Sequence, residues 1–206
     1  MTLKYEKSKL SQSYQKIIGC DEVGRGSLAG PVVAAAVILD VDKPLPWFSE
    51  VRDSKELTPR KRQELAKKIR KHALGFAIAK VSEKIIDKIN IHNASLLAMK
   101  KAVTGLRLTE KASSFIFVDG KFLIPNLAIS QEAVIAGDSK VLSIAAASIM
   151  AKIYRDNLMR KVHLDYPIYN FVQHKGYATL YHRKMIIKNG LSQAHRKTFC
   201  TNLKIV

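Results

Sequence analysis

Lys16-Ile-Ile-Gly-Cys-Asp-Glu-Val23 runs directly into Gly24-Arg-Gly-Ser-Leu-Ala-Gly-Pro31 and then into Val32-Val-Ala-Ala-Ala-Val-Ile-Leu39. Two apolar runs joined through a glycine-rich turn read as strands, and the unbroken apolar character of the second predicts burial on both faces. The first run closes on Asp21-Glu22. Charges are rarely left at the edge of a hydrophobic strand without something to pair with them. Gly24, Gly26 and Gly30 then give the backbone freedom to approach a ligand closely. Adjacent strand residues point to opposite faces, so the two carboxylates are expected to converge only where the strand is ending, with Gly24 supplying the bend.

The rest of the chain supplies the layers around these strands. Asp40 to Leu57 is a loop carrying Pro44, Pro46 and Asp53-Ser54-Lys55. Thr58 is the expected N-cap of a helix with Pro59 in its first position, running to His72. Ala73–Val81 reads as a third strand. A short helix is expected from Ser82 to about Asn90, and a second from Asn93 to Leu106 with an apolar stripe through Leu96, Met99, Ala102 and Val103. Ser114 to Asp119 is a short strand ending at Gly120, and Gln131–Ala136 is the fifth. Gly137-Asp138-Ser139 leads into a long helix to about Leu164, and Ala178 to Asn189 forms the last. Three successive strands, then strands separated by helices, predict a mixed sheet in a single α/β domain over residues 1–206. Residues 1–15 are expected to be a polar, mobile tail.

Charge narrows the partner. Thirty-five Lys and Arg stand against 17 Asp and Glu, a formal net charge of +18. Such an excess favours a phosphate backbone or an anionic membrane surface. The lysines are scattered rather than gathered on one amphipathic helix, and the apolar run Pro31–Leu39 is too short to span a bilayer, so no membrane role is expected. Nucleic acid is the better match. Cys20 and Cys200 form neither a disulfide framework nor a zinc motif, which suits a reducing cytoplasm. The N-terminal segment lacks the apolar core of a signal peptide.

The acids carry the chemistry. Asp119 occupies the same kind of position as Asp21, the last residue of an apolar strand, and parallel central strands would bring those ends together. Either acid alone reads equally as a turn-forming carboxylate. Asp138 reads as the N-cap of the long helix, facing the mouth of the sheet. Three or four carboxylates in one cleft repel and raise each other's pKa values. A hard divalent cation removes that cost, and oxygen-only ligands suit Mg²⁺ or Mn²⁺. Two such ions about 4 Å apart activate water and stabilise the leaving oxygen of a phosphodiester. Asp53 reads as a turn residue, and Glu56, Glu64, Glu83, Asp87 and Asp156 as solvated helix charges, Asp156 forming an exposed pair beside Arg155. The six histidines show no pair at metal-ligand spacing. Tyr177 is either an ordinary loop aromatic or a platform for a sugar or base.

Six blocks in order resemble bacterial ribonuclease HII: Cys20 to Val32, Asp53-Ser-Lys55, Val118-Asp-Gly120, Gly137-Asp-Ser-Lys140, Ser143 to Lys152 with Arg155-Asp156, and His174-Lys-Gly-Tyr177. The resemblance spans roughly Ile17 to Phe199. It implies a ribonuclease H-like fold: a five-stranded mixed sheet flanked by helices, with a helical C-terminal extension over about 165–206 that helps grip the duplex. It also implies hydrolysis of the RNA strand of RNA–DNA hybrids. The resemblance implies, further, incision of duplex DNA on the 5′ side of embedded ribonucleotides, leaving 3′-hydroxyl and 5′-phosphate ends. By motif, Asp21, Glu22, Asp119 and Asp138 become the catalytic, metal-binding acids. Gly24-Arg25-Gly26 becomes the loop that reads the 2′-hydroxyl, and Tyr177 the aromatic that packs on the next deoxyribose. Lys55 and Ser139 become phosphate contacts. A cytoplasmic monomer is expected, and whether its C-terminal helices pack on the body or swing stays open.

Ribonuclease HIII is the nearest alternative, but it resembles this chain less, because it lacks Gly-Arg-Gly and carries an added N-terminal domain. A non-catalytic basic binder would explain the charge but not acids and glycines at strand ends. A junction resolvase or integrase would share the acids but not the glycine loop.

Overall fold

The computed structural model describes residues 2–201 and Leu203. Met1 of the expected tail, and Asn202 and residues 204–206 of the C-terminal part, lie outside the described residues. Five strands form one sheet: β1 (Lys16–Val23), β2 (Val32–Ile38), β3 (Gly75–Val81), β4 (Ser114–Asp119) and β5 (Ser130–Val134), in the order β3-β2-β1-β4-β5. The chain-adjacent pairs β1–β2 and β2–β3 are antiparallel, whereas β1–β4 and β4–β5 are parallel. Parallel pairing requires a long crossover, and helices or long loops supply it. The mixed five-stranded sheet is the architecture expected from the sequence.

Helices cover both faces. α3 (Glu83–Gly105) packs on one, where Ile18, Cys20, Ala34 and Ala36 meet Ala98 and Ala102. α2 (Pro59–His72) and α4 (Leu142–Asp165) cover the other, where Val33, Ala35 and Val37 meet Leu65, Ile69 and Ala146. Every residue of β2 is buried, as its unbroken apolar run predicts. Thr58 caps α2 by accepting a 3.2 Å hydrogen bond from the Lys61 amide. The two helices expected around Asn90 are one element with a kink there, at φ 63° and ψ 167°. The Asn90 side chain accepts from the Asn93 amide at 3.1 Å and so restarts the helix.

α4 rests almost backbone to backbone on β1. A Cβ on Gly19 would stand 1.9 Å from the Ser143 carbonyl carbon and 2.2 Å from the Ile144 nitrogen. No side chain fits between this strand and this helix.

The expectation of a mobile N-terminal tail is corrected over Lys4–Leu10, which forms a helix, α1. Its Glu6 is fully buried and accepts hydrogen bonds from the Ser143 amide at 2.8 Å and the Ser143 hydroxyl at 3.0 Å. α4 has no side-chain N-cap of its own, so a carboxylate from the far end of the chain satisfies its first turn. A partner 137 residues away is invisible to local pattern.

The C-terminal part, α5 (Phe171–His174) and α6 (Leu180–Asn189) with its flanking turns, packs on the glycine-rich connection between β1 and β2. Inside it three imidazoles form a chain of fixed tautomers. His174 accepts at Nδ1 from the Gly176 amide and donates from Nε2 to the Tyr169 carbonyl, at 3.2 and 2.7 Å. His182 donates from Nδ1 to the Tyr177 carbonyl at 2.8 Å, which leaves its Nε2 to accept from His195 Nε2 at 3.1 Å. His195 accepts at Nδ1 from the Ser192 amide at 2.9 Å. Each ring is neutral in this arrangement, because a second proton would meet a donor. Among the described residues no helix is long and apolar enough to cross a membrane.

Burial holds His182 and His195 down to about 4. The unfolded chain therefore binds these protons first. Their contribution to stability is intact above about pH 6.5 and is lost as pH falls toward 4. Thermal unfolding from pH 7 to pH 4.5 should show a shallower acid-side loss in His182→Gln than in the parent. Parallel profiles would contradict the chain of neutral rings.

Candidate active site

The β1–β4 ladder ends at Cys20 opposite Val118, so Asp21 and Asp119 follow side by side where the two strands part. β1 runs to Val23, as expected, and beyond Cys20 it is paired only with β2. The acids converge because the sheet forks there, not because the strand bends. Asp21 and Glu22 keep their opposite-face alternation, and the fork exposes both to the same opening. The two acids line a cleft of about 640 Å³ with Asp119 and Asp138, and with Gly24, Arg25, Gly26, Lys55 and Tyr177.

Asp138 reaches the cleft from a single 3₁₀ turn, Gly137–Ser139, ahead of α4. It is not the N-cap of that helix, which begins after Val141. Ser139 lies apart from the other predicted residues. Its hydroxyl donates to the Ala136 carbonyl at 2.8 Å, and it borders a separate shallow pocket with Arg52, Asp53 and Glu56. Asp53 is the turn residue expected, accepting from the Lys55 amide at 2.9 Å.

The carboxyls are poorly compensated. Burial, then the charges of Glu22 and Asp119, push Asp21 well above the usual carboxylate range. Burial also raises Glu22, against the opposing pull of Arg25, whose Nη1 lies 3.1 Å from Oε1. Asp119 is raised by burial and by Asp138, although the Gly137 amide donates to its Oδ1 at 2.7 Å. Lys55 Nζ sits 3.2 Å from Asp138 Oδ2. Glu22 Oε2 is buried and finds no hydrogen-bond partner.

Among the described residues no three acidic, imidazole or thiol side chains already stand together as a metal-binding group. Arg25 and Lys55 occupy one acid each instead. The donor set nevertheless fits a hard divalent cation: oxygen ligands only, several of them buried, and one left orphaned. Such an ion would have to draw the acids inward and release Lys55.

Behind the cleft two fully buried arginines hold the glycine loop by its carbonyls. Arg196 donates to Gly24 at 2.7 Å, Arg25 at 2.8 Å and Gly30 at 2.9 Å. Arg155 donates to Ala29 at 3.1 Å, Pro31 at 3.0 Å and Lys175 at 2.9 Å. Gly24 has φ +95°, and a Cβ there would lie 2.2 Å from Arg155 Nε, so no other residue fits. The Tyr177 ring stands 5.6 Å from the Arg155 guanidinium and is about one-third exposed toward the cleft. Ser27 and Tyr177 form an isolated β-bridge, as do Ala29 and His195.

Several lining residues lie within or beside the resembling blocks without being picked out by the sequence as part of the cleft. Ser54 and Ser148 share a 2.9 Å hydrogen bond beneath the acids, and Arg62 and Lys152 border the opening. Asp156 corrects the expectation of an exposed pair with Arg155. It is buried and bonds Lys152 at 2.8 Å, while Arg155 points the other way into backbone carbonyls. Helix geometry separates these roles, since adjacent residues 155 and 156 point about 100° apart while 156 lies one turn from 152. Arg196 is equally silent; it belongs to a basic run like any other.

Acids at the fork of a parallel pair, in a five-stranded mixed sheet, define a nuclease of the ribonuclease H-like class. Residues 18–202 match the family model described as ribonuclease HII. The chain belongs to the ribonuclease HII family, endoribonucleases that act on RNA–DNA hybrids. Ribonuclease HII of Caldicellulosiruptor bescii is 44% identical over 198 residues, covering 96% of this chain and 93% of that one. The ribonuclease HII of Archaeoglobus fulgidus, solved in complex with PCNA, superposes with a TM-score of 0.75 at 25% identity, covering 92% and 98% of the two chains. Bst-RNase HIII solved with Mn²⁺ shares the fold at a TM-score of 0.61 and 18% identity, covering 94% of this chain and 67% of that one.

In metal-free buffer Asp21→Asn should raise the thermal midpoint by roughly 3–6 °C, equivalent to about 1–2 kcal/mol of relieved repulsion, while in Mg²⁺ or Mn²⁺ it should abolish the cleavage seen in the parent. Added Mg²⁺ or Mn²⁺ should then stabilise the parent more than the variant, as read by thermal unfolding in chelator and in metal. Arg196→Lys keeps the charge but not the fork of donors, and should cost about 3 kcal/mol in chemical denaturation by stranding loop carbonyls.

Proposed function

We propose that this chain hydrolyses RNA paired with DNA using divalent cations, Mg²⁺ or Mn²⁺, held by Asp21, Glu22, Asp119 and Asp138. We further infer incision of duplex DNA on the 5′ side of a single embedded ribonucleotide. The observation that carries this reading is the meeting of Asp21 and Asp119 at the strand fork, opposite a glycine loop, in a chain of net charge +18. The Mn²⁺ bound by Bst-RNase HIII, which shares the fold, supports the choice of cation.

When bound, the cations supply Lewis acidity at the attacking water and at the departing oxygen. The chain supplies position. Asp21 and Asp119 face the scissile phosphate from the fork, and Lys55, once freed from Asp138, turns to a phosphate oxygen. A Cβ on Gly26 would meet no atom of the chain, so Gly24-Arg25-Gly26 leaves room for a 2′-hydroxyl to approach the backbone. That hydroxyl is the mark that distinguishes a ribonucleotide from its neighbours. The Tyr177 ring, seated on Arg155, presents an apolar face to the following deoxyribose. Lys152 and Arg62 hold the phosphate backbone without reading sequence. Ser139, bonded to Ala136, is left out of the contact set. Water oxygen bonds to phosphorus and the bond to the 3′ oxygen breaks, giving 3′-hydroxyl and 5′-phosphate ends.

Purified protein should nick a duplex containing one ribonucleotide when Mg²⁺ or Mn²⁺ is present and not in chelator. An intact duplex with either metal would end this reading. Tyr177→Ala should lower kcat/KM at the isolated ribonucleotide by about tenfold or more, from a stacking contribution of about 1–3 kcal/mol, and spare long hybrids. Equal losses on both substrates would remove the tyrosine from junction reading.

A further inference from the structure

A basic furrow leaves the cleft between α2 and α4, beyond the reach of the acids and the glycine loop. Arg62 borders both the cleft and a pocket that also takes in Arg60 and Arg160. Asn157 and Arg160 then border a third pocket, which reaches Arg70 and Lys161. The three openings therefore share walls and run on from one another. Arg60, Arg70, Arg160 and Lys161 are exposed. Among the described residues none of these four has a carboxylate within ion-pair distance. The nearby acids are already engaged: Asp156 with Lys152, and Glu64 with Lys61 and Lys68. An uncompensated row of cations on rigid helices, open at one end into a nuclease cleft, is suited to a polyanion entering that cleft.

We infer that this furrow carries the phosphate backbone of one arm of the substrate duplex, about three to four nucleotides away from the scissile phosphate. The inference rests on the nucleic-acid reading of the cleft and adds a direction and a length to it. Lys152 lines the cleft and Arg160 lies eight residues further along α4, about 12 Å at 1.5 Å per residue. Phosphates of one strand advance about 3.4 Å each along a duplex, so the span is roughly three to four nucleotides. The furrow touches the backbone alone and is indifferent to sequence. Loading an arm there anchors the duplex beyond the ribonucleotide, and the effect falls on binding rather than on the hydrolytic step.

Arg60→Ala/Arg160→Ala tests this, since both residues are exposed and the thermal midpoint should not move. On duplexes with ten base pairs either side of one ribonucleotide, KM should rise about tenfold with kcat unchanged. Removing the arm on one side, to two base pairs, should abolish the difference from the parent, and shortening the other side should not. Binding is measured separately by fluorescence anisotropy in an Asp21→Asn background. There the log–log salt slope should fall by about 2, close to 0.9 for each of the two phosphates left without a cation. An unchanged slope and affinity would overturn the furrow as a nucleic-acid track, as would an equal loss on every flank length. If the parent cleaves nothing, the function reading fails, and the anisotropy series still decides the furrow.

Discussion

Mutual repulsion among buried carboxylates is the constraint around which this molecule is arranged. Asp21, Glu22, Asp119 and Asp138 are brought to one opening by a parallel strand pair that parts immediately after Cys20 and Val118. Nothing in the local sequence relieves them fully: Arg25 and Lys55 each answer one acid, and one Glu22 oxygen has no partner at all. A fold tolerates such a spot only where the surroundings are stiff. Here the stiffness comes from β2, a fully buried inner strand, and from α4 pressed against β1. Basic residues outnumber acids 35 to 17, but not at this spot, so the molecule as a whole attracts a polyanion while the cleft attracts cations.

The second level of organisation is the glycine loop. Glycines that permit close approach also permit collapse, and the loop is kept open by guanidinium groups that grip its carbonyls from behind. Arg155 comes from α4 and Arg196 from the C-terminal part, so three distant segments must be in place before the loop has its shape. The chain of neutral histidines locks the turn at His174–Tyr177 to the segment that delivers Arg196. The C-terminal helices are therefore the rear wall of the site, packed on the body through Leu28 and Ala29.

Much of this is legible in the sequence. The strands, the mixed sheet and the proximity of Asp21 to Asp119 follow from apolar runs and their connections, because burial on two faces leaves a local mark. The cause of the acids' convergence does not: a fork in the sheet is a property of three strands, and no single strand displays it. Asp138 looks like a cap because an acid before a helix usually is one, yet Glu6 of α1 does that work from a segment expected to be a tail. Asp156 and Arg155 look like neighbours in solvent, when helix geometry sends one to Lys152 and the other into the interior. Arg196, His182 and His195 leave no trace, because burying a charge or an imidazole is settled by carbonyls and rings contributed from elsewhere.

The seat of α4 on Gly19 fixes more than the spacing of a helix and a strand. That helix carries Ser148, Lys152 and Arg155 on successive turns, so the wall of the cleft and the brace of the glycine loop are a single rigid bar. Its clearance from the acids is set by hydrogen-sized space at one α-carbon, two residues upstream of Asp21. A methyl group there would act as a shim under one end of the bar. Every distance it governs would widen together, and no repacking of side chains at the far end could close the gap again.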